Sequence, residues 1–140
     1  MSTRILIVDD HEIVRSGLRR LVERQSGWEV CGEAGNGKEA IEKALALKPD
    51  LVLMDITMPV MNGIEATRQI RELSPMTKIV IVSLHDDEAI AAQAKDAGAD
   101  GYVVKASHSE IVLKTIAGVL EGRRADRSRL TQTSTGNPAD

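Results

Sequence analysis

The chain alternates short apolar runs with longer segments whose apolar residues recur at helical spacing, and that alternation leaves few folds open. Ile5 to Val8, Leu51 to Met54, Ile79 to Val82 and Tyr102 to Val104 are short, mostly continuous and rich in β-branched residues. Strands covered on both faces read this way, as in a parallel sheet with helices above and below. Trp28 to Glu33 differs: Trp28, Val30 and Gly32 alternate with Glu29, Cys31 and Glu33, which predicts a sheet edge. Between the runs, Ile13, Val14, Leu18, Leu21 and Val22 form one apolar stripe, and Ile41, Ala44, Leu45 and Leu47 another. Ile64, Thr67, Ile70 and Leu73 form a third, and Ile111 to Leu120 carries the last. Asp87 to Ala97 is Ala-rich with Ile90 as its one large apolar residue, so it predicts a weakly anchored helix. Ser107 followed by Glu110 has capping-box spacing, and Gly98 closes the preceding helix.

These elements make an α/β chain of (βα)₅ type. Right-handed crossovers put helices on both faces of a doubly wound, five-stranded parallel sheet. With the second strand at an edge, the flavodoxin-like order 2-1-3-4-5 follows. A length of 140 residues suits one domain. After Gly122 come Arg123, Arg124, Arg127 and Arg129, then Thr, Ser, Gly and Pro. Residues 1–122 are therefore the expected domain, and 123–140 a flexible tail or truncated linker.

Composition removes several functions. Trp28 and Tyr102 are the only aromatics, so base-stacking platforms are absent, and a net charge of -3 does not suit a nucleic-acid surface. No apolar run approaches the ~20 residues that span a bilayer, and the first apolar run meets two acids instead of a signal-peptide cleavage site. Cys31, alone, forms no internal disulfide and reads as a small buried hydrophobe; a cytoplasmic setting is expected.

The polar residues that end the strands carry the chemistry. Asp9 and Asp10 end the first strand, Asp55 the third, Ser83 the fourth and Lys105 the fifth. Ligands of an open parallel sheet bind outside the carboxyl ends of its strands, where the strand order reverses. There, three carboxylates meet a hydroxyl and an ammonium. A single acid after a strand is more often a helix cap, but three acids with Ser83 and Lys105 at one edge exceed that explanation. Two unit charges ~4 Å apart repel by about 4 kcal/mol at an effective dielectric near 20, so a cation must offset them. Oxygen-only ligands point to Mg²⁺. A carboxylate beside it can attack phosphorus to give an acyl phosphate, whose oxygens a serine and a lysine then bind.

Other motifs are weaker. Gly32, Gly37 and Lys38 match most of a P-loop, but Glu39 replaces its Ser or Thr and would repel phosphate. Gly35, Gly37 and Ala40 match G-x-G-x-x-A away from the switch point. His11 and His108 read as surface residues at helix starts, and His85 lies two residues beyond Ser83, at the site's rim.

The stretches IVDDHEIVRSGL, DLVLMDITMPVMNGIEATRQIR, KIVIVSLHD and GADGYVVKA stand in this order and spacing over residues 3 to about 122. The chain thereby resembles the receiver domains of bacterial two-component response regulators, and SLHDDE and GYVVKA are most similar to the NarL/LuxR-type, which carry a helix-turn-helix output domain. Receivers are themselves an instance of the strand order above, so that order is not independent of the resemblance. The resemblance implies Asp55 as phosphoacceptor, and Mg²⁺ on Asp10, Asp55 and the backbone carbonyl of Thr57, with Asp9 holding a metal-bound water. It implies that Lys105 bridges Asp55 and the phosphoryl group. Ser83 would turn its hydroxyl onto the phosphate, while Tyr102 moves inward as the aromatic switch. Asp9, Asp55, Ser83 and Lys105 are the implied catalytic set, and Pro59 and Gly63 shape the loop beneath. A sensor histidine kinase is the implied phosphoryl donor and a homodimer the implied product of phosphorylation. DNA would be reached only through a C-terminal domain absent from this sequence.

Two other readings fit part of the same residues. An aspartyl-nucleophile phosphatase would share the Mg²⁺, Ser and Lys, but its second acid is missing because Thr57 stands two residues after Asp55. A stand-alone receiver acting purely through protein contacts shares the same fold.

Overall fold

The computed structural model describes residues 2–122, so the proposed tail at 123–140 lies outside the described residues. Its elements run β1 (Thr3–Val8), α1 (Glu12–Glu23), β2 (Trp28–Ala34), α2 (Gly37–Leu47), β3 (Leu51–Met54), α3 (Gly63–Leu73), β4 (Lys78–Ser83), α4 (Glu88–Ala97), β5 (Gly101–Val104) and α5 (Ser109–Leu120). Every strand pairing is parallel, and the sheet order is β2-β1-β3-β4-β5. This is the flavodoxin-like doubly wound receiver architecture expected from the pattern of runs.

The continuous apolar runs become the central strands because each is covered twice. Leu6, Val8, Val52, Met54, Ile79 and Ile81 pack on α2, α3 and α4 through Ala44, Ile70 and Ala94. Their neighbours Ile5, Ile7, Leu51, Leu53, Val80 and Val82 pack on α1 and α5 through Val22, Ile116 and Val119. Alternate side chains thus feed opposite layers. The fourth helix has the weak footing its composition predicts: only Ala94 and Ala97 are buried, and Gly98 ends it at φ 110.

Four local expectations are corrected. Ile13 is 86% exposed and not part of the α1 core stripe, because nine residues at about 3.6 per turn put it on the side opposite Val22. Ser107 does not cap α5: its backbone N–H closes a turn onto Val104, and His108 takes the cap position without a side-chain hydrogen bond. In β2 the alternation breaks at a bulge, since Ile5 pairs with Val30 but Leu6 with Gly32. The extra residue turns Gly32 toward α2, where a Cβ would meet Leu47 at 2.7 Å, and Glu33 toward α1. Cys31 is half-buried, not enclosed.

Candidate functional site

The sheet register brings the site together. Val8 pairs with Met54, so the next residues, Asp9 and Asp55, stand side by side. The ladder runs one step further: Asp9 donates its N–H to Ala34, Asp55 to Val8 and Lys105 to Ser83. Asp9, Asp55 and Lys105 therefore each leave a strand end on a held backbone. Beneath them, Gly63 starts α3 against the Asp55 carbonyl, which a Cβ there would meet at 1.8 Å. Asn62 caps that helix by accepting from Glu65. The loop between holds Val60 at φ 70, with Met61 N–H donating back to the Pro59 carbonyl, a strained γ-turn for a β-branched residue.

Asp9 and Asp55 are 1% and 5% exposed, Ser83 is fully buried, and Asp10 is exposed at the rim. Lys105 Nζ lies 2.7 Å from Asp9 Oδ2 and 3.4 Å from Asp55 Oδ1. That ion pair aside, no aligned hydrogen bond reaches the buried Asp9 Oδ2 from the described residues. Asp55 Oδ1 accepts from Ile56 N–H at 2.9 Å. Burial first, and Asp9 second, push the Asp55 carboxyl above its ordinary range, with Lys105 opposing them. Burial opposes charge on Lys105 too, but Asp9 and Asp55 outweigh it and hold the ammonium's pKa above the usual value.

Ligand atoms of Asp9, Asp10, His11 and Asp55 lie within 4.8 Å of one another. Three carboxylates against one ammonium leave negative charge uncompensated. This oxygen-rich set fits a hard divalent cation.

Ser83 Oγ accepts from His85 N–H at 3.0 Å, and the Tyr102 hydroxyl donates to the His85 carbonyl at 2.8 Å. Tyr102 is 3% exposed, so the aromatic expected to move inward already lies inside. Thr57 sits on the exposed lip, its Oγ1 3.0 Å from His85 Nε2. His85 therefore joins the two loops that flank the site.

Residues 5–117 match the response regulator receiver domain family. The chain belongs to that family. This receiver is 41% identical over 119 residues to the transcriptional regulatory protein LnrK of Bacillus subtilis, covering 85% of the chain and 54% of the relative. It is 39% identical over 128 residues to the response regulator UvrY of Escherichia coli, covering 91% and 59%. The receiver thus spans a little over half the length of the curated relatives it matches. A crystal structure of a LuxR-family two-component response regulator from Aurantimonas sp. superposes with a TM-score of 0.88 at 41% identity, covering all of both chains. The receiver domain of the putative response regulator NarL from Mycobacterium tuberculosis gives 0.83 at 33%, covering 87% of this chain and 98% of that one. Within the family, this receiver is therefore of the NarL/LuxR type. Response regulators are signalling proteins of two-component systems, not turnover enzymes, and receivers bind Mg²⁺ through an acidic pocket of the kind described here. No helix among the described residues is long and apolar enough to cross a membrane.

Two contributors escaped the sequence reading. Arg15 of α1 donates Nη1 to the Asp9 carbonyl at 2.7 Å and Nε to Glu33 at 2.8 Å, steadying the first acid from behind. Its signal was present only as a basic residue one turn into the helix after the acid pair. His11 is the exposed helix-start residue expected, and its ring also lies beside both acids.

Proposed function

We propose that this receiver accepts a phosphoryl group on Asp55 from a sensor histidine kinase, with Mg²⁺ held by Asp10, Asp55 and the Thr57 carbonyl and, through water, by Asp9. The observation that carries the reading is the convergence of Asp9 and Asp55, at the ends of the adjacent strands β1 and β3, within 3.4 Å of the Lys105 ammonium. An Asp55 carboxylate oxygen forms the new bond to phosphorus while the donor's phosphorus–nitrogen bond breaks and its imidazole leaves with the electron pair. The cation supplies neutralisation of the charge brought in by the transferring group. Lys105 exchanges its contact with Asp55 Oδ1 for one with the new phosphoryl oxygens.

Ser83 then turns its hydroxyl onto the phosphoryl group, giving up the N–H of His85. The segment after β4 is held at that N–H and, through Tyr102, at the His85 carbonyl. Releasing one contact loosens the other, and the sparsely anchored α4 rearranges with β5 and α5 into an output surface. A homodimer and a DNA-binding output domain complete the reading, since LnrK is by name a transcriptional regulatory protein. A cytoplasmic setting comes with it. A phosphatase lacks support: Thr57, exposed and bonded to His85, stands where that chemistry needs a second acid.

Incubation with acetyl phosphate and Mg²⁺, followed by intact mass before and after mild base, tests the chemistry. One base-labile phosphoryl group is expected, and none in Asp55→Ala. A label that survives base, or that persists in the variant, refutes the assignment.

A further inference from the structure

The glycines that imitate a nucleotide-binding loop, Gly35 and Gly37, are spent on contacts within the fold. Asn36 caps α2 by accepting from Glu39 N–H at 2.9 Å, and Glu39 Oε1 accepts from Gly35 N–H at 2.7 Å. Gly37, the buried first residue of α2, sends its own N–H to the Met61 carbonyl at 2.9 Å. The approach is close. A Cβ at position 37 would meet the carbonyl oxygens of Met61 at 2.6 Å and of Asn62 at 3.0 Å, and Met61 Cγ at 2.9 Å. The two carbonyls are backbone, so no rotamer change relieves them. Gly37 does not have a positive φ; space, not conformation, demands the glycine.

Met61 belongs to the loop between β3 and α3 that also carries Thr57. That loop is strained at Val60, whose φ of 70 sits in the turn closed by Met61 N–H on the Pro59 carbonyl. A β-branched residue keeps such a conformation only where its surroundings fix it. Gly63 N–H fixes the base of the loop on the Ile56 carbonyl at 2.8 Å, and Gly37 fixes its far side on α2. We propose that Gly37 is a positioning residue for this site: its N–H and its missing side chain hold the β3–α3 loop against α2 and so present the Thr57 carbonyl to the cation. The inference rests on the reading of that carbonyl as a metal ligand. A carboxylate can be aimed by its rotamer, whereas a carbonyl is aimed by the backbone of its loop. The plain alternative is that Gly37 only packs α2, so that substitution costs stability and leaves Mg²⁺ binding alone.

The test measures Mg²⁺ binding by calorimetry, phosphoryl uptake from acetyl phosphate and stability in urea. It compares the full chain with Gly37→Ala and with Gly17→Ala, where a Cβ meets nothing within 4 Å. Gly37→Ala is expected to weaken Mg²⁺ binding about tenfold, the low end of what lost supporting contacts around metal ligands cost, and Gly17→Ala to change it less than about twofold. Uptake by Gly37→Ala should be slow at limiting Mg²⁺ and recover at saturating Mg²⁺. Adding Met61→Ala to Gly37→Ala removes the Cγ overlap but keeps both carbonyl overlaps, so affinity should stay low. Four results overturn the inference: unchanged Mg²⁺ affinity in Gly37→Ala, equal weakening in Gly17→Ala, a rate loss that saturating Mg²⁺ leaves undiminished, or full recovery in the double variant. Each of them leaves the parent's Mg²⁺ site in place. Should Gly37→Ala not fold, the parent decides by NMR: the Gly37 amide resonance should move as Mg²⁺ is added while that of Gly17 stays, and a fixed Gly37 resonance overturns the inference. A parent that binds no Mg²⁺ overturns the underlying cation-site reading, and this inference with it.

Discussion

Each end of the sheet holds a buried or half-buried aspartate beside a cation, and the two ends spend that pair differently. At the amino end, Arg71 of α3 directs Nη2 to Asp100 at 2.6 Å and to the Gly98 carbonyl at 2.7 Å. Its other nitrogens reach the carbonyls of Gly98, Pro75 and Thr77, and Asp100 also accepts from Ile79 N–H. Donors and acceptors match, and the cluster ties α3, β4, the end of α4 and the start of β5 together. At the carboxyl end, Asp9, Asp10 and Asp55 crowd one Lys105, and a buried oxygen goes without an aligned bond. The first arrangement stabilises the fold. The second stores unfavourable charge that a cation is suited to relieve. The same residue types do either job, depending on how completely their bonds are matched.

The largest expected effect strikes the satisfied end. Arg71→Met should cost about 2–4 kcal/mol in urea unfolding, because it leaves Asp100 and three carbonyls without their partner, while the folded fraction still takes up phosphoryl. A loss below about 1 kcal/mol would show that the cluster is not the anchor. Gly63→Ala couples stability to the site: its Cβ overlaps the Asp55 carbonyl, so roughly 1–3 kcal/mol should be lost together with phosphorylation rate. Normal kinetics in a stably folded variant would argue against that tight approach.

Removing charge from the crowded end should have the opposite sign. Without divalent cations, Asp55→Asn is expected to raise stability by about 0.5–2 kcal/mol, and a destabilised variant would contradict the proposed stored repulsion.

The smallest effect belongs to Glu33, between the two extremes. Burial opposes its charge, but hydrogen bonds from Arg15 and Arg19 prevail and hold its pKa below the ordinary 4.5. A depressed carboxyl means the unfolded chain binds more protons, so the stabilisation is full above pH 4.5 and is lost as pH falls through the folded value. Glu33→Gln should therefore cost about 0.5–1 kcal/mol at pH 7, modest because the group is part-exposed, and almost nothing at pH 2. A pH-independent difference between the two proteins would remove Glu33 from this role.

Much of this was legible because it is local. Continuous β-branched runs announced the central strands, and the residue at the end of each run announced the site. Asp9, Asp55, Ser83 and Lys105 all stand where those runs stop. What stayed hidden depends on contacts between distant segments. Nothing near Glu33 foretold that a bulge at Cys31 would turn it onto Arg15 and Arg19 of α1. Ser107 and Glu110 had the right spacing for a cap, but the turn that delivers Lys105 claimed the Ser107 backbone first.

By itself, the sequence determined the alternation of strand and helix, the double covering of the sheet and the identity of the acids, since side-chain periodicity and strand ends are properties of neighbours along the chain. Only the tertiary structure decided which of those charges end matched and which end crowded, because that depends on parallel register between strands dozens of residues apart.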